Sequence, residues 1–241
     1  MAASIRVKLV KKFIDLNEKI FFEPKLKSFY QSIGKINVVI DIGANRGQSI
    51  DFFLSLNPSC TLYAIEPNPT LFALLEAKYK PNRNIRLFNF GISDAAGHKM
   101  FFENALDYTS SFEELNMDSS YLQKKANVLG VKKENLVINQ YMVKTLTLSD
   151  FIRHAEITTP IDVVKMDTEG HEYHCIAGAF SHQHTIRFIQ LEHHNDDMYR
   201  NKFSFDEITK LLEANGFEEM KRIRHGFGNF DEVLFVSTGK Q

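Results

Sequence analysis

The segment Asp41-Ile-Gly-Ala-Asn-Arg-Gly47 sets two glycines four positions apart, directly after the apolar run that begins at Ile36. Glycines in such a turn let the backbone come close to a ligand, and a helix starting there offers free N–H groups to an anion. Glu66 ends a second apolar run 19 residues after Gly47, where an acid can accept hydrogen bonds from both hydroxyls of a ribose. Together they predict a nucleoside-bearing cofactor. A Walker loop needs a lysine after its last glycine, and here Gln48-Ser49 follows. A dinucleotide loop needs a middle glycine, but Asn45 and Arg46 crowd the place a pyrophosphate would take. The smaller carboxylate of an amino acid suits this turn, and S-adenosylmethionine carries that carboxylate together with a ribose and an adenine.

A second group sits further along. Asp167 and Glu192 end two more apolar runs, so both are predicted to point into one crevice from adjacent strands, with His171, His174, His193 and His194 nearby in sequence. A sulfonium methyl is already activated, so the protein must align a nucleophile with it and exclude water. A hydroxyl nucleophile also needs a base or a metal to help remove its proton. Two designs follow. In one, Asp167 or a histidine is the base. In the other, Asp167, Glu192 and His193 hold a divalent cation, since carboxylates beside an imidazole suit Mg, Mn or a transition metal. His171-Glu-Tyr-His174 lacks the HExxH zinc spacing. Plainer roles are expected nearby, with Glu169 capping the helix at His171 and Glu172 pairing with Lys165.

The elements that must position these groups alternate. Apolar strands are predicted over 36–41, 61–66, 85–90, 161–167 and 185–192, with helices over 47–56, 69–79, 148–155 and 171–180. Strands apolar throughout, alternating with helices, are the mark of a parallel sheet covered on both faces. Capping boxes start helices at Thr147 and Ser204, and Gly216 ends the latter. Two final strands, 217–222 and 231–237, flank the turn after His225. The alternation lapses over about 95–146, where short strands at 98–103 and 108–112, a helix over 115–129 and a strand over 136–146 are expected. This inserted segment is placed to wall a binding site.

The motifs DIGANRGQS, AIEPNP, GISDAAG, TLSDFI, VVKMDTEGHEYHCIAGA and IQLEHH occur in this order between about Val38 and Val236. In order and spacing they resemble the FkbM family of S-adenosylmethionine-dependent methyltransferases. The resemblance implies the α/β, Rossmann-like class I methyltransferase fold: a seven-stranded, mostly parallel sheet with its last strand antiparallel and helices on both faces. It implies that Asp41, Gly43, Asn45 and Gly47 hold the methionine part of the cofactor and that Glu66 binds the ribose. Pro67, Asn68, Gly91, Ile92 and Ser93 are then expected beside the adenine. Lys165, Asp167, Glu169, Gly170 and Glu172 match the family's K-x-D-x-E-G-x-E stretch. Ser149 departs from the family's T-L-D-D pattern. The family's range points to O-methylation of a sugar, glycan or secondary metabolite.

Composition bounds the alternatives. The chain has 241 residues, 44% hydrophobic, with 29 basic and 30 acidic side chains, which is the balance of a globular protein and gives no overall case for nucleic acid. Cys60 and Cys175 are too few for a disulfide framework, so a cytoplasmic setting is expected. Residues 1–36 carry eight basic and three acidic side chains, and Val10, Phe13, Ile14, Ile20 and Phe21 recur at helical spacing. A basic amphipathic helix is expected there, ahead of a methyltransferase domain over 37–241. Such a helix packs on its own domain or a second subunit in a homodimer, or lies on an anionic membrane surface. Charges interrupt the segment too often for a signal peptide or a membrane span. A nicotinamide-dependent oxidoreductase, disfavoured by the missing GxGxxG, and a membrane-surface binding module are the competing functions.

Overall fold

The computed structural model describes residues 10, 12–13, 16–182, 184–200, 203–225 and 229–239. Ile14 and the centre of the turn after His225 lie outside them. Seven strands form the main sheet: β1 (Val38–Ile42), β2 (Thr61–Ile65), β3 (Ile85–Phe88), β7 (Ile161–Met166), β8 (Ile186–His194), β9 (Phe217–Arg224) and β10 (Phe230–Ser237). Their order is β3-β2-β1-β7-β8-β10-β9. Neighbours from β3 to β8 pair in parallel, while β10 runs antiparallel to both β8 and β9. This is the arrangement that the sequence motifs imply.

Period-two alternation sends each strand's side chains to two different cores. Ile40, Ile65, Val164 and Leu191 pack with α5 (Leu148–His154), α6 (Glu172–Ala177) and α7 (Phe205–Ala214) on one face. Val39, Leu62, Val163 and Phe188 pack with α1 (Glu23–Ser32), α2 (Gln48–Leu56) and α3 (Pro69–Tyr79) on the other. Helix starts are set locally. The Asn68 side chain accepts from the N–H groups of Thr70 and Leu71, with Pro69 at the first helical position of α3. Ser204 and Glu207 form the reciprocal capping box of α7.

Between β3 and α5 the chain builds a second, three-stranded sheet of β4 (Gly91–Ile92), β5 (Gly97–Asn104) and β6 (Val137–Leu146), in the order β4-β6-β5. The strand expected at 108–112 is instead a 3-10 turn, Asp107–Thr109, with a single bridge between Ser111 and Phe102. The helix expected from Leu115 is α4 (Ser120–Leu129), because Ser119 takes the N-cap and accepts from Leu122 N–H. The helix expected over 171–180 stops at Ala177, since Gly178 is pressed against the backbone of Ser93, where a β-carbon would stand 2.3 Å from that carbonyl oxygen. A third apolar cluster, with Leu106, Leu122, Leu129 and Tyr199, holds α4 to the loop after β8.

Candidate active site

Strand order reverses at β1, which has β2 on one side and β7 on the other, so a crevice opens beyond the carboxyl ends of these strands. A cavity of about 400 Å³ occupies it. Gly43, Asn45 and Gly47 all have positive φ, at 85°, 48° and 84°. At Gly43 a β-carbon would lie 2.0 Å from the Asp167 carbonyl oxygen, and at Gly47 it would strike the Tyr79 ring at 2.4–2.9 Å. Both positions therefore require glycine. Gly43, Ala44, Asn45, Gln48 and Ser49 line the cavity. Gly47 forms the turn beneath and receives a 2.8 Å hydrogen bond on its carbonyl from the Tyr79 hydroxyl.

Asp41 lies under this turn rather than in the cavity. It is wholly buried, accepts from Ser49 Oγ at 2.5 Å and faces Lys165 Nζ at 3.8 Å. Burial raises its pKa, while Lys165 and Ser49 pull it back. Lys165 also pairs with Asp167 at 3.1 Å. Burial alone would lower the lysine's pKa, but Asp167, Asp41 and Glu232 hold it above its ordinary value. Strand register places Asp41, Lys165 and Gln190 side by side across β1, β7 and β8, and Gln190 in turn bonds Glu232 of β10. A buried polar row thus floors the cavity, with Lys165, Gln190 and Glu232 lining it and Asp41 behind them.

Glu66 is buried, with its two oxygens accepting from Asn45 N–H at 2.8 Å and Asn68 N–H at 2.7 Å. It ties the turn after β1 to the turn after β2 and still borders the cavity. Burial pushes its pKa up to about 7, against the pull of those two N–H groups. Pro67, Gly91 and Ile92 line the cavity as well, whereas Asn68 serves as the α3 cap and Ser93 is buried away from it. The Ser93 hydroxyl meets His171 Nε2 at 2.9 Å, and His171 Nδ1 meets Glu113 at 2.7 Å.

Asp167 and Glu192 both reach the cavity, but His193 does not. Its ring packs on Phe205 of α7, on the opposite face of β8. The alternation along β8 brings Gln190, Glu192 and His194 into the cavity instead. The cation set Asp167, Glu192 and His193 is therefore not assembled. Among the described residues three acid–imidazole groups do come together, Glu113–His171–His174, Glu169–Glu192–His194 and Glu192–His225–Glu232, each with ligand atoms within 4.8 Å of one another. The second holds Glu169 and Glu192, beside the strand end that carries Asp167. His194 Nε2 is 3.1 Å from Glu169 and 3.0 Å from Glu192. Burial alone would lower the histidine's pKa, yet Glu169, Asp196 and Glu192 raise it well above the ordinary value. Glu169, Glu192 and His194 offer ligand atoms close enough together to hold a metal ion. Burial and the nearby Asp167 raise the pKa of Glu192, which makes it a stronger base than a free carboxylate.

Glu169 does not cap α6. It stands at φ 57° before Gly170 at 95°, and it accepts from the Tyr199 hydroxyl at 2.6 Å. Glu172 does not meet Lys165. One of its oxygens accepts from Thr168 N–H, Thr168 Oγ1 and Gly170 N–H at 3.0, 3.0 and 3.2 Å, pinning this tight turn. Gln190, Tyr199 and Glu232 received no role from the sequence, and His194 was named only as one of four nearby histidines. Counting by twos from Glu192 would have picked out Gln190 and chosen His194 over His193.

The model of the methyltransferase FkbM domain matches residues 41–219. The 2-O-methyltransferase NoeI of Sinorhizobium fredii (strain NBRC 101917 / NGR234) is 30% identical over 201 residues, covering 83% of this chain and 79% of that one. The 31-O-demethyl-FK506 methyltransferase FkbM of Streptomyces tacrolimicus is 27% identical, covering 75% of this chain and 72% of its own. In fold, the chain is similar to a solved structure from Clostridium thermocellum described as an rRNA-methylase, with a TM-score of 0.50, 11% identity and coverage of 90% and 96% of the two chains. The protein belongs to the FkbM family and is an S-adenosylmethionine-dependent methyltransferase.

Proposed function

We propose that the protein moves the methyl group of S-adenosylmethionine onto a hydroxyl of a sugar-bearing acceptor. One observation carries this reading: the Gly43–Asn45 turn, Glu66 and the Asp167–Glu192–His194 group line a single continuous cavity. The turn would take the methionine carboxylate on its backbone N–H groups, with Gly43, Asn45 and the Gly47 turn shaping it and Asp41 bracing it from below. Glu66 would accept the ribose hydroxyls, and Pro67, Gly91 and Ile92 would flank the adenine. Glu66, Asp167, Glu169, Glu192 and Glu232 make the cavity acid-rich, which favours the cationic sulfonium donor over its neutral product.

Glu192 is the base in this scheme. Bound S-adenosylmethionine would supply an activated methyl group and leave as neutral S-adenosylhomocysteine, and Glu192 would take the proton that the acceptor hydroxyl gives up as its oxygen gains the methyl. His194 and Glu169 hold Glu192 in place. Asp167, its side chain one-third exposed and paired with Lys165, faces the reacting centre. Aromatic rings at Phe22, Phe52, Phe112 and Phe230 stand among Glu23, Gln190 and Glu232 in the lining. Rings for the apolar faces of a sugar and carboxylates for its hydroxyls suit a glycan, glycolipid or glycosylated metabolite. The two named O-methyltransferases among the relatives support the hydroxyl acceptor. Two free, buried cysteines suit a reducing compartment and support action in the cytoplasm.

The test is calorimetric titration with S-adenosylhomocysteine, with NAD in parallel, followed by a screen of hydroxylated glycans for methyl transfer in the presence of a chelator. Micromolar binding of the first ligand and transfer to oxygen in chelator are expected. Binding of NAD alone, or transfer only to nitrogen, would overturn the reading.

A further inference from the structure

The mouth of the cavity has two rims. Of the lining residues, Val10 and Glu23 on one side and Tyr121, Lys124, Lys125 and Val128 of α4 on the other keep solvent exposure and mark the opening, with Phe22 and Leu26 buried behind Glu23. Val10 packs on the α4 cluster, while Phe22 packs with Leu26 and Tyr30 in the main core, so the described residues 16–22 form a span that leads from the main core toward the α4 side of the opening. Residues 10, 12, 13, 16 and 17 are helical, and a π turn, Glu18–Phe22, leads into α1.

The outward side of this span is apolar. Leu16, Ile20 and Phe21 are 55, 52 and 56% exposed, and Val128 across the mouth is 54% exposed. Large apolar groups are normally scattered singly on a surface, whereas here they cluster around the cavity's opening. Lysines accompany them on both rims: Lys12, Lys19 and Lys25 are exposed on one, Lys124 on the other. Residues 1–36 as a whole carry a net charge of +5, in a chain that is otherwise acidic. A second copy docked on this face would set lysines against lysines, which costs binding energy. Anionic lipid headgroups complement it, with the leucine, isoleucine and phenylalanine entering the acyl boundary and the lysine heads staying among phosphates. Among the described residues no helix is long and apolar enough to cross a membrane, so the contact is interfacial.

We infer that this span and the α4 rim dock the protein on an anionic membrane surface, setting the cavity mouth against the lipid. The acceptor hydroxyl then belongs to an amphiphilic, membrane-borne molecule. The substrate statement rests on the reading of the cavity given above, while the docking surface stands without it.

The experiment is co-sedimentation of the full chain with vesicles of phosphatidylcholine alone or with one-third phosphatidylglycerol, at low and high salt. The protein should pellet with the anionic vesicles at low salt, and binding should be at least about tenfold weaker with neutral vesicles or at high salt. The variant L16E/I20E/F21E and the charge-reversed variant K12E/K19E should both lose vesicle binding while titrating with S-adenosylhomocysteine as the parent does. Absence of vesicle binding by the parent, or full binding by both variants, would overturn the proposal. So would a parent dimer in light scattering that the triple variant converts to monomer without any vesicle binding, because the face would then join two copies. Loss of S-adenosylhomocysteine binding by the parent would sink the cofactor reading and leave the docking result to stand by itself.

Discussion

A β-carbon on Gly43 would stand 2.0 Å from the backbone carbonyl oxygen of Asp167, so the turn after β1 and the acid after β7 are in direct backbone contact. Gly43→Ala therefore meets an atom that no side-chain rotation can move, at a φ of 85° where an L side chain is strained by about 1–2 kcal/mol. The variant should melt at a lower temperature and bind S-adenosylhomocysteine at least about tenfold more weakly. A melting curve and a titration read both, and parent-like affinity would separate the turn from the cofactor.

Glu66 ties two turns together from a buried position and is held at a pKa of about 7 by that burial. Its ionised form is the better acceptor for two ribose hydroxyls. Affinity for S-adenosylhomocysteine should therefore fall as the pH drops through 7, and Glu66→Gln should flatten this dependence. The variant should lose roughly 1–3 kcal/mol of binding, the worth of hydrogen bonds to a charged group. A pH series of titrations on both proteins checks it.

Glu192→Gln should lower kcat by about 10²–10⁴ while leaving S-adenosylhomocysteine affinity within twofold, as expected when a general base is removed. In the parent, the base works only when deprotonated, so kcat/KM should rise with pH. Because burial and Asp167 raise the Glu192 pKa, that rise should fall above the ~4.3 of a free glutamate. A profile flat from pH 5 to 9 would exclude Glu192 as base.

His193 and His194 are adjacent in sequence but should respond differently. His194→Gln removes the cation between Glu169 and Glu192 and should abolish turnover as well as destabilise the fold, since breaking a buried ion pair costs about 3–5 kcal/mol. His193→Gln alters a ring that packs on Phe205 outside the cavity and should keep more than half of the parent's kcat. Steady-state rates and melts of the two variants decide.

Tyr199→Phe deletes the hydroxyl that holds Glu169 at 2.6 Å. A stability loss of about 0.5–1.5 kcal/mol is expected, with kcat reduced severalfold and cofactor affinity unchanged. An unchanged kcat would remove Tyr199 from the positioning of the Glu169–His194–Glu192 group.

Much of this was legible along the chain. The alternation of apolar strands and helices gives the layered sheet, because burial on both faces selects apolar residues along most of each central strand, the Asp41–Lys165–Gln190 row being the exception. The Gly43–Gly47 turn and Glu66 could be read because local backbone geometry and strand length place them within a few residues of the strand ends. Asn68 as a helix cap was equally local, yet the motif pointed it toward the adenine.

Tertiary structure decided the rest. Whether His193 or His194 faces the cavity depends on which side of β8 is turned toward α1 and α2, a matter of sheet twist and register. Asp41 and Lys165 became a buried pair because three strands align in register, which no spacing along one strand reveals. Glu169 left its expected capping role because Tyr199, 30 residues away, reaches it through a loop packed on α4. Local sequence dictates turns, caps and periodicity through short-range sterics and hydrogen bonds. Which acids meet which cations is set only when distant elements pack, because burial makes those charges find one another.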